Sequence, residues 1–251
     1  MEWASAPADA DLTIHLLAWR DFPLARRCLA ALRHSWPGAR VQLVTDGDPD
    51  PRFEGLAGRF EVELVRGERL YLLWHRGAIV ERMLELWARQ PTPWLLRIDT
   101  DTLVRRRFAR LPLGAVAFGT LERRTQTHRE PLDPPLVHGG CLGLTAAAAE
   151  RLLASGVFRS PALADPFSTW AECRDPRERA RGGRVSFDFL VRWGCREAGL
   201  PGVSHPEVRS LWRGLVLDPR GRYAVTHPHK LLRQWPRLLA SLALSRLRAR
   251  R

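Results

Sequence analysis

Two acids one residue apart, Asp99 and Asp101, end the apolar run of WLLRIDTDTLV at residues 94–104. Side chains alternate faces along a strand, but where a strand gives way to a turn two such carboxylates can converge on one cation. Mg²⁺ and Mn²⁺ prefer a few carboxylates plus water and substrate oxygens to a closed protein cage, so a pair of this kind leaves room for phosphate. A solvated Asp-Thr-Asp turn is the chemically silent alternative, and the company of the pair decides between them. Asp188 follows Ser186 in SFDFLVRWGCREAGL, where Ser186 reads as an N-cap and the helix dipole favours an anion in the first turn. Gly139 and Gly140, in HGGCLGL, mark a tight bend or a close approach of backbone to a ligand. His227 and His229 flank Pro228, and their order alone selects neither as a ligand.

The surrounding pattern supplies the elements that must hold these residues. Residues 12–18 read as an apolar strand and 22–36 as a helix, with Leu24, Cys28, Ala31, Leu32 and Trp36 near helical spacing before Pro37 and Gly38. A second strand at 41–44 ends in Thr45, Asp46, Gly47 and Asp48. After a loop comes a third strand at 61–65, then a long helix at 72–88 with Ile79, Met83, Leu86 and Trp87 on one side. Pro91 and Pro93 stop that helix just before the strand bearing the acids. This order predicts an α/β fold with a mostly parallel sheet, whose ligands gather at the carboxyl ends of the strands, where Asp99 and Asp101 lie. Beyond them a strand is expected at 115–120, a polar, proline-bearing loop at 122–137, an alanine-rich helix at 145–154, and a helix at 185–200. Residues 160–184 read as a surface loop able to act as a lid, and 215–218 as a last strand.

With 251 residues and 45% hydrophobic content the chain can bury a substantial core. Its net charge of +13 rests almost wholly on arginine, Lys230 being the one lysine, and favours anionic partners. Cys28, Cys141, Cys173 and Cys195 form no CxxC pair, which argues against a structural zinc site or a disulfide framework. Neither a GxGxxG after the first strand nor a GxxxxGK[ST] occurs, so neither an ordinary dinucleotide fold nor a P-loop is signalled. Without an 18-residue uncharged apolar stretch or a secretory signal, the expected location is cytoplasmic. The segment 231–251, basic and leucine-rich with Trp235, suits either an anionic membrane surface or packing on the core with an arginine tail.

A first strand with TDGD after the second, then IDTDTLV, then HGGCLGL before a helix, then SFDFLVRWGCREAGL and a late histidine, together resemble the metal-dependent glycosyltransferases of the GT-A fold over residues 12–230. The resemblance implies a three-layer α/β/α sandwich over residues 1–230. Residues 1–105 would form a nucleotide-binding half and 106–230 an acceptor-binding half, with 231–251 set apart. It implies that Asp99 lies near the ribose and the metal, that Asp101 ligates the metal, and that His227, with His229 as rival, is a further ligand. Imidazole favours Mn²⁺ over Mg²⁺. Ala18, Trp19 and Arg20 would face the base and ribose, with Asp46 and Asp48 as weaker candidates.

ERMLELWARQPTPWLLRIDTDTLV resembles the glycogenin-like family 8 enzymes, in which a basic residue near Arg82 approaches the donor. Arg76 is the second choice, and an i,i+4 pairing of Arg82 with Glu81 or Glu85 on the helix surface is the rival role. HGGCLGLTAAAAERLL and FDFLVRWGCREAG resemble instead the fringe and β-galactosyltransferase group, which makes Asp188 the catalytic base and puts Gly139 and Gly140 on the acceptor side. Phe187 stands where that group has a paired acid, and the family 8 pattern near the C-terminus survives only as His227, Lys230 and Trp235 at different spacing. Retention and inversion therefore stay open.

The implied reaction is transfer of a sugar from a nucleoside diphosphate donor, UDP-linked, to a hydroxyl of a glycan, glycolipid or small-molecule acceptor by a bacterial-type enzyme using Mn²⁺ or Mg²⁺. A nucleotidyltransferase is the alternative enzyme, but it calls for a glycine-rich basic loop after the first strand, where only Arg20 stands. A non-catalytic nucleic-acid-binding protein calls for clustered arginines with stacking aromatics, whereas the arginines here are spread along the chain, so no nucleic acid is expected.

Overall fold

A computed structural model describes residues 1–5, 7–48, 50–67, 77–124, 131–160, 187–210, 218 and 220–227. Arg76 and the start of the helix expected at 72–88, the lid segment beyond Ser160, Ser186, Cys173, residues 215–217 of the expected last strand, His229, Lys230, Trp235 and the segment 231–251 lie outside the described residues.

In chain order the strands are β1 (Trp3–Ser5), β2 (Leu12–Ala18), β3 (Arg40–Asp46), β4 (Glu63–Gly67), β5 (Trp94–Asp99), β6 (Leu103–Val104) and β7 (Arg110–Pro112). They continue with β8 (Ala117–Arg124), β9 (Pro131–Thr145), β10 (Gly202–Ser204), β11 (Val208–Ser210) and β12 (Val225–His227). The helices are α1 (Phe22–Ser35), α2 (Arg52–Phe60), α3 (Ala78–Ala88), α4 (Ala146–Ser155) and α5 (Phe187–Glu197). The central sheet has the order β10-β8-β9-β5-β2-β3-β4 and is parallel throughout except for β9, which runs against both β5 and β8.

Period-two alternation sorts the layers. Leu12, Ile14, Leu16 and Ala18 of β2 and Trp94, Leu96 and Ile98 of β5 join the core that holds the α1 stripe Ala25, Cys28, Leu29 and Leu32 and the α2 residues Phe53 and Leu56. On the opposite face Leu95, Leu142 and Leu144 pack with Ile79 and Met83 of α3, Ala149 of α4 and Leu190 of α5. Helices thus cover both faces, as expected of an α/β/α sandwich. Among the described residues no helix is long and apolar enough to cross a membrane.

Two stretches expected as loops are regular. The chain after β3 forms α2, with Pro51 at its N-cap and a left-handed Glu61 (φ 51°) ending it. Proline is at home at a helix start, so a run that reads as punctuation is also a helix entry. Much of 122–137 belongs to the β8–β9 hairpin, in which Leu121 faces Val137 and Glu122 faces Leu136.

The α3-facing side of the sheet is not wholly apolar. His15 is buried on β2, and burial, followed by the charges of Arg97 and Arg82, pushes its pKa down to about 3. The folded state therefore resists a proton that the unfolded chain accepts below about 6.5, so stability falls as pH drops from there toward 3. The slope is at most about 1.4 kcal/mol per pH unit. His15→Leu is expected to flatten the acid limb of the urea midpoint between pH 6 and 4, and an unchanged limb would assign the acid sensitivity elsewhere.

Candidate active site

Asp99 is the last residue of β5, and the Thr100–Asp101 turn follows it at the carboxyl edge of the sheet. The chain then enters β6, which pairs antiparallel with β12 so that Leu103 faces Thr226 and Val104 faces Val225. Extending that register sets His227 beside the turn that carries Asp101. The two meet accordingly: His227 Nε2 lies 3.1 Å from Asp101 Oδ1 and 3.4 Å from Asp99 Oδ2. Asp101 and His227 are 2% and 3% exposed, and one ligand atom from each of the three residues falls within 4.8 Å of the others. Burial disfavours the charged imidazole, but the hydrogen bond to Asp101 and the charges of Asp99 and Asp101 outweigh it and raise the His227 pKa. Arg105 fixes the approach of β12: its N–H donates to Ala224 O (2.8 Å) and its Nη2 donates to Thr226 Oγ1 (3.3 Å).

A divalent cation fits this set. Asp101 Oδ2 is buried with no hydrogen-bond partner among the described residues, a position that a cation would satisfy. Two carboxylates and one imidazole form a donor set suited to Mn²⁺.

The glycine pair lies in neither a tight turn nor open space. Leu142 of β9 faces Gly119 but Val137 faces Leu121, so residues 138–141 stand against the single Thr120 as a wide bulge. Pairing with β5 also ends at Cys141. Within the bulge, a Cβ on Gly139 would collide with the Asp188 carboxylate, and one on Gly140 would collide with the His227 ring. Bulges re-aim backbone beside active sites, and here the absence of side chains lets β9 pass between two of the candidate residues. Gly140→Ala is expected to displace His227, lowering Mn²⁺ affinity by about tenfold or more and costing about 1–3 kcal/mol of stability. Calorimetry and urea unfolding read both, and unchanged metal affinity would show that the ring has another place to go.

Asp188 sits in the first turn of α5, as anticipated, and its Oδ2 accepts the Gly139 N–H at 2.9 Å. Trp19, Arg20 and Asp21 form the turn after β2. Asp21 accepts the Trp19 N–H at 2.9 Å and the hydroxyl of Thr100, tying this turn to the residue between the two acids. Arg20, at φ 55°, donates its N–H to Asp48 Oδ2 (2.6 Å), and its guanidinium stacks over the Trp19 ring at 4.7 Å. Ala18 directs its side chain into the α1 core, which leaves its backbone at the strand end.

Arg82 pairs with Asp46 at 2.9 Å, whereas Glu81 and Glu85 pair with Arg159, so the rival surface pairing of Arg82 with these acids gives way to a contact at the end of β3. Asp46 and Asp48 are both engaged within the protein, Asp48 also accepting the Asp50 N–H. Cys28, Cys141 and Cys195 are buried and unbridged.

Two residues escaped the sequence reading. Arg97 forms a 2.6 Å ion pair with Asp99 Oδ1 and donates to Gly139 O. His138 accepts the Gly140 N–H at Nδ1 (3.3 Å) and lies with its ring 5.6 Å from that of His227. A lone arginine inside WLLRID was the available signal for the first.

Among solved structures, one that this chain resembles is an active-site mutant of LgtC, at 15% identity and a TM-score of 0.54, covering 92% of this chain and 95% of that one. The fold is GT-A-like. No protein-family model and no curated protein matches the sequence. In this chain an Asp-x-Asp group lies at the carboxyl edge of the sheet, with a histidine from β12 beside it.

Proposed function

We propose that this chain is a metal-dependent glycosyltransferase that moves a sugar from a UDP-linked donor to an acceptor hydroxyl. The observation that carries the reading is the convergence of Asp99, Asp101 and His227 at the carboxyl edge of a GT-A-like sheet. Asp101, His227 and Asp99 Oδ2 would hold the cation, Mn²⁺ by preference. When bound, it offsets the charge gathering on the departing diphosphate.

The protein's own groups do the rest. Trp19 and Arg20, with the backbone of Ala18, hold the base and ribose at the end of β2. Arg82, anchored by Asp46, supplies positive charge on the donor side. Asp188 is the base: with Oδ2 oriented by the Gly139 N–H, the carboxylate takes the proton of the acceptor hydroxyl as that oxygen attacks the anomeric carbon and the bond to the diphosphate breaks. Gly139 and Gly140 shape the acceptor side. In this reading residues 1–105 serve the nucleotide and the elements after them serve the acceptor.

The positive charge gives a nucleic-acid-binding reading little help, because many guanidinium groups have internal partners. Arg33 donates to the carbonyls of Phe60, Ala39 and Glu61, and Arg40 and Arg107 pair with Glu63 and Asp9. The test is calorimetric titration of UDP into the full chain with and without Mn²⁺, with GDP as comparison. Metal-dependent binding selective for UDP supports the proposal; no binding of either nucleotide with Mn²⁺ present defeats it.

A further inference from the structure

Arg97 lies on β5 two residues before the first of the paired acids, and its side chain is 3% exposed. Among the described residues, three elements hold it. On β5 its Nη2 is 2.6 Å from Asp99 Oδ1, on β9 the Gly139 carbonyl accepts from its Nη1, and on α5 the Phe187 ring lies 4.8 Å below the guanidinium carbon. A buried guanidinium persists only where its partners offset the desolvation. Leu95, Leu96 and Ile98 show what the strand uses where only packing is required.

We infer that Arg97 is a built-in counter-charge that makes cation binding at Asp99, Asp101 and His227 conditional on the nucleoside diphosphate. The inference rests on the proposed metal-and-donor reading and deepens it. Asp99 and Asp101 together carry two negative charges, and Arg97 cancels one of them inside the protein, where screening by water and salt is weak. It engages Asp99 through Oδ1, whereas the contact of Asp99 with His227 is made through Oδ2, at 3.4 Å. A divalent cation arriving alone meets a site of reduced charge. One arriving with a diphosphate finds the missing negative charge on the ligand. Linkage makes the effect reciprocal, so the cation tightens the nucleotide by the factor with which the nucleotide tightens the cation. Cation and nucleotide then enter as a unit and, after transfer, leave as one.

The experiment is titration of MnCl₂ into the full chain, with and without saturating UDP, for wild type, Arg97→Met and Arg97→Lys. Wild type is expected to bind Mn²⁺ weakly alone and much more tightly with UDP. Arg97→Met tightens Mn²⁺ binding without UDP by about tenfold and shrinks the gain from UDP by the same factor. Arg97→Lys keeps the charge while losing the fork, and so keeps the wild-type gain. Should Arg97→Met fail to fold, Arg97→Gln replaces it, being neutral and able to donate to Gly139. If the neutral variant weakens Mn²⁺ equally with and without UDP, Arg97 merely orients Asp99 and the inference is overturned while the proposed function stands. If wild type binds Mn²⁺ under neither condition, the metal-and-donor reading itself falls, and the inference with it.

Discussion

Asp101→Asn is expected to weaken Mn²⁺-dependent UDP binding by at least about a hundredfold while shifting the melting temperature in EDTA by only a few degrees. Asp101 is the most enclosed acid of the site, with Oδ1 on His227 and Oδ2 without a partner among the described residues. A neutral amide of the same shape can stay beside His227, but it withdraws the negative charge that Asp101 offers a cation. Loss of a direct ligand exceeds the ten- to hundredfold typical of losing a ligand's hydrogen-bonding support. Calorimetry of UDP with Mn²⁺ present, paired with thermal melts in EDTA, separates loss of the site from loss of the fold. Retained metal-dependent binding would make the Asp-Thr-Asp turn structural.

The second large effect is expected at Asp188. Asp188→Asn should lower kcat by about 10²–10⁴-fold, the range for removing a general base, with the affinity for UDP and Mn²⁺ unchanged. Its contact is to the Gly139 N–H, not to the Asp99, Asp101 and His227 group, and the asparagine carbonyl can accept the same hydrogen bond. Single-turnover transfer measured beside nucleotide binding provides the two readouts. If transfer persists near the wild-type rate, the base lies elsewhere and Asp188 serves only to anchor the β9 bulge.

Much of the scaffold was legible because period and burial agree. Leu12 to Ala18 read as β2 with its bounds intact, and the stripe at Cys28 and Leu32 read as α1. The Asp-Pro-Asp-Pro run hid α2, since proline marks both turns and helix starts. The prolines of β9 hid a hairpin in the same way. The pair Asp99 and Asp101 could be read from residue type and position. The choice of His227 came from resemblance, and its physical cause, the register of β6 on β12, depends on pairing between segments far apart in the chain. The glycine pair stood out as either a tight bend or a close approach of backbone to a ligand, and what approaches it is the Asp188 carboxylate and the His227 ring. That arrangement is set by three-dimensional neighbours, which spacing cannot encode.

Asp101 and His227 are separated by 126 residues, and the last strand described, β12, meets the first half of the chain at this point. An ion gripping both acts as a reversible cross-link that ties off a loop as long as half the protein. For a permanent link of similar span, loop-closure arithmetic gives about 5 kcal/mol, and here the gain is limited by the occupancy of the ligand. Under the proposed function, catalysis and durability would be joined in one place: a cell short of manganese or of nucleotide sugar would hold a chain that is both idle and easier to unfold, and so easier to degrade.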